Sequence, residues 1–191
     1  LDARLNRDAS AAVDFTNRAA NPWTRDMGAV SRLEKSTIRA TTGAMKRFWG
    51  ARGNVPSDDP VPAYQPGETP PGQFRTPVHC AEMSNDGFVY VCDRPNDRVQ
   101  IFTREGKFVK EVFVAKETRA DGSVWDIAFS KDPGQKYLYM ADGVNEHVRV
   151  FDRQSMTELY NFGYGGRQPG MFLGVHRIAT DSKGDLYTTE T

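Results

Sequence analysis

Two histidines, His79 and His176, are the residues of this chain with the clearest capacity for chemistry. Each follows the same lead-in, since Pro-Gly-x-Phe occurs at residues 71–74 and again at residues 169–172, with Val-His a few positions later. Imidazole nitrogens are common metal ligands in proteins. Because the two lead-ins match, the sequence predicts that both histidines occupy equivalent positions of a structural repeat.

Other catalytic patterns do not occur in the sequence. The 191 residues contain no glycine-rich phosphate loop, no Gly-x-Ser-x-Gly elbow and no His-Glu-x-x-His motif. We therefore predict no catalytic residue and no cofactor, and His79 and His176 are the candidate ligands if a metal is bound.

The lead-in belongs to a longer repeat. Residues 93–102 and 142–151 share the pattern Asp-x-x-Asn-x-x-Val-x-Ile/Val-Phe. A period of roughly 40 to 50 residues that holds several short strands is typical of a β-propeller blade. The paired Asp and Asn side chains could suggest calcium ligands, but we expect them to close the loop before the third strand of each blade, since no EF-hand loop accompanies them.

Each period contains four strand-like segments. In the first period, residues 88–92, 99–102 and 108–113 follow an apolar stretch and are rich in β-branched and aromatic side chains, with turn residues between them. The second period repeats this order. Four strands joined by short turns form one antiparallel sheet, and alternating apolar positions predict a core that includes Ile101, Phe102, Ile127, Phe129, Val150 and Phe151.

The chain divides into six predicted segments. Seven of the eleven prolines fall between residues 53 and 77, which predicts a stiff connector or, as an alternative, a proline-rich docking motif. Residues 1–33 have no strong apolar period, although the first 17 could form a short helix. The segments are an N-terminal segment at 1–33, a partial blade at 34–50, the connector at 51–77, blades at 78–116 and 117–166, and a partial blade at 167–191.

Composition limits the classes of partner. The chain carries 25 basic and 25 acidic residues, so its overall charge offers no general attraction to nucleic acid or to anionic membranes. No apolar run approaches the ~20 residues that a membrane-spanning helix needs. We expect neither nucleic-acid binding nor a membrane span.

From about residue 43 onward the chain resembles the NHL-repeat family of six-bladed β-propellers. The lead-ins and the segment Tyr-Val-Cys-Asp-Arg-Pro-Asn-Asp-Arg-Val-Gln-Ile-Phe at residues 90–102 carry the resemblance. The resemblance implies an all-β propeller that this chain contains incompletely, as two full blades and two partial ones. It leaves function open, because the family includes protein-binding, RNA-binding and enzymatic members.

Within that family, residues 77–79 and 174–176 are similar to the metal-ligand segments of peptidyl-hydroxyglycine amidating lyases. Those enzymes hold zinc with three histidines from alternate blades. Here the blade between the two histidines carries Trp125 at the matching position, and His147 lies at the start of a third strand. Arg177 stands where the lyases carry an acidic residue, and a guanidinium repels a cation.

Two cysteines, Cys80 and Cys92, flank the first hairpin. A two-residue turn at Asn85 and Asp86 would pair position 80 with position 91 and place Cys92 opposite His79. Small buried thiols that fill the packing between blades are the expectation on this register. A cross-strand disulfide and a zinc pair of His79 with Cys92 are the alternatives.

The sequence thus predicts a non-catalytic NHL-type propeller that acts as a protein-binding or scaffold module, extracellular or periplasmic. Its partner would be another protein, further copies of itself or parts of a longer polypeptide, because each half-blade holds the strands that the other lacks. Head-to-tail pairing of copies would give a homo-oligomer or a filament. The alternative is a zinc-dependent lyase of the amidating type.

Overall fold

The computed structural model describes residues 36–39, 45–57 and 59–191, and the predicted helix near the N-terminus lies outside them. Those residues form short β-strands linked by tight turns. The strands are β1 Ser36–Arg39, β2 Met45–Trp49, β3 Cys80–Met83, β4 Phe88–Asp93, β5 Arg98–Thr103, β6 Phe108–Phe113, β7 Asp126–Phe129, β8 Tyr137–Asp142, β9 His147–Asp152, β10 Thr157–Phe162, β11 Val175–Thr180 and β12 Leu186–Glu190. No helix in this part of the chain is long and apolar enough to cross a membrane.

The strands form two complete sheets and two half sheets, all antiparallel. Blade 1 contains β3 to β6 and blade 2 contains β7 to β10, and in both blades each strand pairs with the next strand along the chain. The strand pairs β1–β2 and β11–β12 form separate two-stranded sheets. This is the predicted all-β propeller architecture, with two full blades and a partial blade at each end.

The apolar core lies between the sheets, because the facing surfaces of neighbouring sheets are apolar and pack together. The cluster between blades 1 and 2 contains Ile101, Ile127, Phe129 and Phe151, while Phe102 packs on the opposite face of blade 1 against Trp49. The predicted core is confirmed, since Ile101, Phe102, Ile127, Phe129, Val150 and Phe151 are all at most 7% exposed.

The Asp and Asn side chains of the repeat close buried polar networks. The Asp93 carboxylate accepts hydrogen bonds from Asn96 at 2.8 Å and from Arg98 at 2.7 Å. In blade 2, Asp142 accepts from Asn145 at 2.9 Å and from Arg149 at 2.7 Å. The expected loop-closing role is confirmed, and arginine supplies the positive charge that a calcium ion would otherwise provide.

Blades 1 and 2 are joined by a polar contact at their rim. Arg153 donates to both carboxylate oxygens of Asp86, at 3.0 and 2.9 Å, and to the hydroxyl of Tyr90 at 3.2 Å. Its remaining donors reach the carbonyls of Gly134 and Gln135. A bidentate guanidinium–carboxylate pair fixes the relative orientation of the two blades.

The described residues of the connector, 50–57 and 59–79, contain no strand, as its prolines predict. Arg75 anchors it to blade 1. Its guanidinium donates to the carbonyl of Pro62 at 2.7 Å, to Asn96 at 2.6 Å and to Glu68 at 2.6 Å.

The predicted register of the first hairpin is wrong by one residue. Cys80 lies opposite Cys92, and Ala81 lies opposite Val91. The reason is Gly87, whose φ of 86° lets a three-residue loop replace the expected two-residue turn. The cysteines therefore face each other with 4.8 Å between their Cα atoms and form a disulfide, so the expectation of free thiols is also wrong.

Candidate functional site

The candidate site is an aromatic cluster where three innermost strands begin. His79 directly precedes β3, Trp125 directly precedes β7, and His176 is the second residue of β11. The ring centroids lie 4.9 Å apart for the two histidines, 5.6 Å for His79 and Trp125, and 5.2 Å for Trp125 and His176. We call these three residues the His–Trp cluster. The two predicted histidines thus come together, as equivalent positions of a repeat should.

An irregularity in each strand pair turns these side chains inward. The N–H of His79 donates to the carbonyl of Cys92 at 2.9 Å, although Cys80 is the residue opposite Cys92. Trp125 makes the equivalent bond to Ala141 at 3.0 Å. An extra residue opposite a single partner is a β-bulge, which redirects a side chain.

The third strand pair has the same irregularity. The register of β11 on β12 shifts between Val175 and Arg177, which leaves His176 as the extra residue. The residue before each ring is a buried valine, at positions 78, 124 and 175. The valine anchors the strand in the core, and the next side chain lies on the inner surface.

Both imidazoles are neutral at neutral pH. Burial, assisted by the charges of Arg94, His176 and Arg177, lowers the pKa of His79 to about 4, although its hydrogen bond to a carbonyl opposes the shift. Burial and the same two arginines lower the pKa of His176. The Nδ1–H group of His79 donates to the carbonyl of Trp125, which leaves the free lone pair of the neutral ring on Nε2.

Arg94, which sequence reasoning missed, supports the indole of Trp125. Its guanidinium lies 4.6 Å from the ring centroid, a cation–π contact, and pairs with Asp121 at 3.1 Å. Gly143 also lies against the indole, since an added Cβ would come within 2.6 Å of a ring atom. Arg94 and Gly143 occupy matching positions of the repeat, but no local sequence pattern marks either residue as a neighbour of Trp125.

The three strands at which the His–Trp cluster lies also carry charged side chains, namely Glu82 on β3, Asp126 on β7 and Arg177 on β11. Asp126 is 6% exposed and accepts a hydrogen bond from the N–H of Ile178 at 3.1 Å. Burial raises the pKa of Asp126. Desolvation also raises the pKa of Glu82 to about 7, although part of the Glu82 side chain reaches solvent. The charge of Arg177 opposes both shifts. Arg177 therefore acts electrostatically on both carboxyl groups and on both imidazoles.

A zinc ion needs more ligands than this cluster provides. The free Nε2 of His79, with Nδ1 bonded to a carbonyl, is the arrangement of a metal-binding histidine. However, the described residues contain no group of three His, Cys, Asp or Glu side chains that could hold a metal ion. The disulfide also removes Cys92 as a partner for His79. The residues present do not complete a zinc centre.

A second candidate surface lies on the outer half of blade 2. Strand β11 packs against β7 and β8, while every residue of β10 is exposed. Tyr160 and Phe162 of β10 are 58% and 42% exposed, and their rings lie 6.5 Å apart. We call the surface formed by Tyr160 and Phe162 the open half-face, and half-buried Tyr139 lies at its border. It adjoins the buried ring of Phe172, whose centroid is 6.5 Å from that of Phe162.

No family model matches the chain. Among solved structures, the chain is similar to a streptogramin B lyase, with 16% identity, a TM-score of 0.53, and coverage of 82% of this chain and 41% of that one. It is also similar to the virginiamycin B lyase of Staphylococcus aureus, at 14% identity and TM-score 0.53, over 82% of this chain and 42% of that one. Hydrazine synthase of Kuenenia stuttgartiensis matches at 18% identity and TM-score 0.50, over 82% and 36% of the two chains.

These similarities support the propeller fold alone, since fold does not determine function. The chain spans less than half the length of each of these structures.

Proposed function

We propose that this chain is a non-catalytic β-propeller module of the NHL-repeat type that binds protein through its incomplete C-terminal blade. The observation that carries the proposal is the pairing of an open sheet edge with an exposed aromatic surface. Among the described residues, β12 pairs only with β11, and the open half-face beside it has no sheet packed over it.

The edge of β12 can accept a further strand. In the antiparallel register of β11 and β12, the N–H groups of Leu186, Thr188 and Glu190 point away from β11. Unpaired N–H and C=O groups along an edge are a template for another strand. Two added strands would also cover Tyr160 and Phe162, which removes apolar area from water.

A labelled synthetic peptide tests this proposal. The peptide of residues 34–50 contains an outer strand pair and should bind the 191-residue protein saturably, as measured by fluorescence anisotropy. The same peptide with Ile38→Pro is the matched control, because proline removes an N–H from the strand. Equal binding of the two peptides, or no binding of the first, contradicts the proposal.

An extracellular or periplasmic location is part of the proposal. Disulfides persist in oxidising compartments and are rare in the cytosol, and the Cys80–Cys92 bridge supports such a location. Detection of free thiols at both positions in protein taken from its native source would argue against it.

A zinc-dependent lyase of the amidating type is the second candidate. It is favoured by the 4.9 Å between the two imidazole centroids and by the free Nε2 of His79. Elemental analysis of the purified protein decides between the candidates. One zinc per chain, lost in the His79→Ala and His176→Ala variants, supports the lyase; absence of zinc at saturating supply rejects it.

A further inference from the structure

We propose that a pocket beside Arg94 binds the carboxylate group of an organic monoanion. The pocket lies between the proline-rich connector and the loops that follow β4 and β6, and its volume is about 480 Å³. A cavity of this size is within the range of small-ligand sites in proteins. Its lining contains no residue of the open half-face, so this inference is independent of the proposed function.

Contacts within the protein hold both walls of the pocket in place. On the connector side, the Tyr64 hydroxyl donates to the carbonyl of Lys116 at 2.8 Å, and the Arg75 guanidinium lies 5.4 Å from the Tyr64 ring centroid. On the blade side, Gly122 packs so closely that an added Cβ would come within 2.0 Å of the carbonyl oxygen of Arg94. The pocket is therefore formed before a ligand binds, which lowers the cost of binding.

Arg94 is a lining residue whose hydrogen-bonding capacity is only partly used. Its Nη2 atom donates to Asp121 at 3.1 Å, whereas its buried Nε–H has no hydrogen-bond partner among the described residues. The Nε–H and one N–H of Nη2 lie on the same edge of a guanidinium, where one carboxylate can accept from both. Asp121 thus occupies half of a two-pronged donor site.

A ligand can displace Asp121 at little cost. The Asp121 side chain is 63% exposed, while that of Arg94 is 11% exposed, and ion pairs with an exposed partner contribute little to stability. Arg75, the other arginine of the lining, has no such capacity, because its side-chain nitrogens donate to Pro62, Asn96 and Glu68. Arg94 is therefore the residue that would recognise the ligand charge.

The rest of the lining selects the kind of anion. Apolar side chains beside the guanidinium would contact the body of an organic ligand, and they belong to Val61, Pro62, Phe74 and Pro95. Two exposed carboxylates, those of Asp59 and Asp121, also line the pocket. They repel a second negative charge, so a carboxylate with an apolar body fits better than a dianion such as phosphate.

Nuclear magnetic resonance of the protein at constant ionic strength tests the proposal with benzoate as the probe. Benzoate should shift the Nε–H signal of Arg94, which is assigned by its absence in Arg94→Gln. It should also shift the indole N–H signal of Trp125, whose ring centroid lies 4.6 Å from the guanidinium. We expect a dissociation constant on the order of 1 mM. Benzamide, which has the same shape without the charge, should not bind.

Three variants test the role of each charge. Arg94→Gln should weaken benzoate binding at least about tenfold, because it removes the charge-assisted hydrogen bonds. Asp121→Asn should strengthen binding about threefold, because it removes the competing carboxylate. Arg119→Gln is the matched control: it removes the same charge from an exposed residue of the same loop, outside the lining, and should bind as the wild type does.

The absence of a shift in both signals at about 20 mM benzoate would overturn the proposal, as would equal binding of benzamide or preferential binding of inorganic phosphate. Circular dichroism establishes that each variant is folded. If Arg94→Gln does not fold, Asp121→Asn still decides the question, since unchanged or weaker binding in that variant contradicts a competing carboxylate. A second probe, acetyl-alanyl-phenylalanine with a free carboxylate, distinguishes the ligand source. Tighter binding than benzoate assigns the pocket to peptide C-termini, and weaker binding assigns it to small free carboxylates.

Discussion

The buried carboxylate of Asp97 makes stability depend on pH. Asp97 is fully buried, its Oδ1 atom accepts the N–H of Ser123 at 2.8 Å, and its Oδ2 atom has no hydrogen-bond partner among the described residues. Desolvation raises its pKa from 3.8 to about 7, with a further contribution from the negative charges of Asp142 and Asp93, although the Ser123 hydrogen bonds oppose the shift.

The sign of the effect follows from linkage. A carboxyl group whose pKa is higher in the folded state binds its proton more tightly there, so stability falls as the pH rises from about 4 to about 7. The difference between 3.8 and about 7 corresponds to about 4 kcal/mol. Asparagine cannot ionise, and it tolerates the left-handed backbone at this position, where φ is 51°.

Urea denaturation of the wild type and of Asp97→Asn at pH 4 and pH 8, at constant ionic strength, measures this contribution. Between pH 4 and pH 8, the free energy of unfolding should fall by about 4 kcal/mol more in the wild type than in the variant. Asp93 and Asp142, whose pKa values burial also raises, remain in both proteins, so the comparison reports the ionisation of Asp97 together with its coupling to these two carboxyl groups. Asp185→Asn, on an exposed turn, is the control and should behave as the wild type. Identical pH dependence of wild type and Asp97→Asn would refute the argument.

Three further predictions concern the core. Phe151→Ala should cost ~3 to 5 kcal/mol in thermal or urea unfolding because Phe151 is 2% exposed, and a loss below ~1 kcal/mol would contradict its placement. Replacing Cys80 and Cys92 together by Ala should lower the free energy of unfolding by about 3 kcal/mol, and reduction of the wild type should lower it by a similar amount. An unchanged free energy of unfolding would show that the bridge does not constrain the chain. Arg98→Met should cost ~3 to 5 kcal/mol because it leaves the buried Asp93 unpaired, and restoration by Asp93→Asn in the double variant distinguishes an ionic effect from lost packing.

The sequence predicted the blades well because repetition supplied independent copies of each signal. The strands of blades 1 and 2 follow the alternation of apolar residues, and the matching lead-ins placed His79 and His176 together. The strand register was harder to predict from the sequence. The positive φ of Gly87 moves the pairing of β3 with β4 by one residue from the predicted register and brings the two cysteines into contact.

The rest of the site could not be predicted because it depends on contacts between blades. Arg94 reaches across to Trp125 of the next blade, and no local pattern marks such a partner. The bulges that direct the rings inward depend on which residue stands opposite which, and periodicity does not encode this. The exposure of Tyr160 and Phe162 likewise follows from how far the neighbouring sheet extends over β10.

Hydrogen exchange at the free edge of β12 tests the central claim, that the incomplete blade is the binding site, most directly. The amides of Leu186, Thr188 and Glu190 point away from β11 and should become protected when the 34–50 peptide is added at saturating concentration, while the amides of exposed turns stay unchanged. Exchange of all three amides at the unprotected rate, in a sample where fluorescence anisotropy shows that the peptide is bound, would contradict the account.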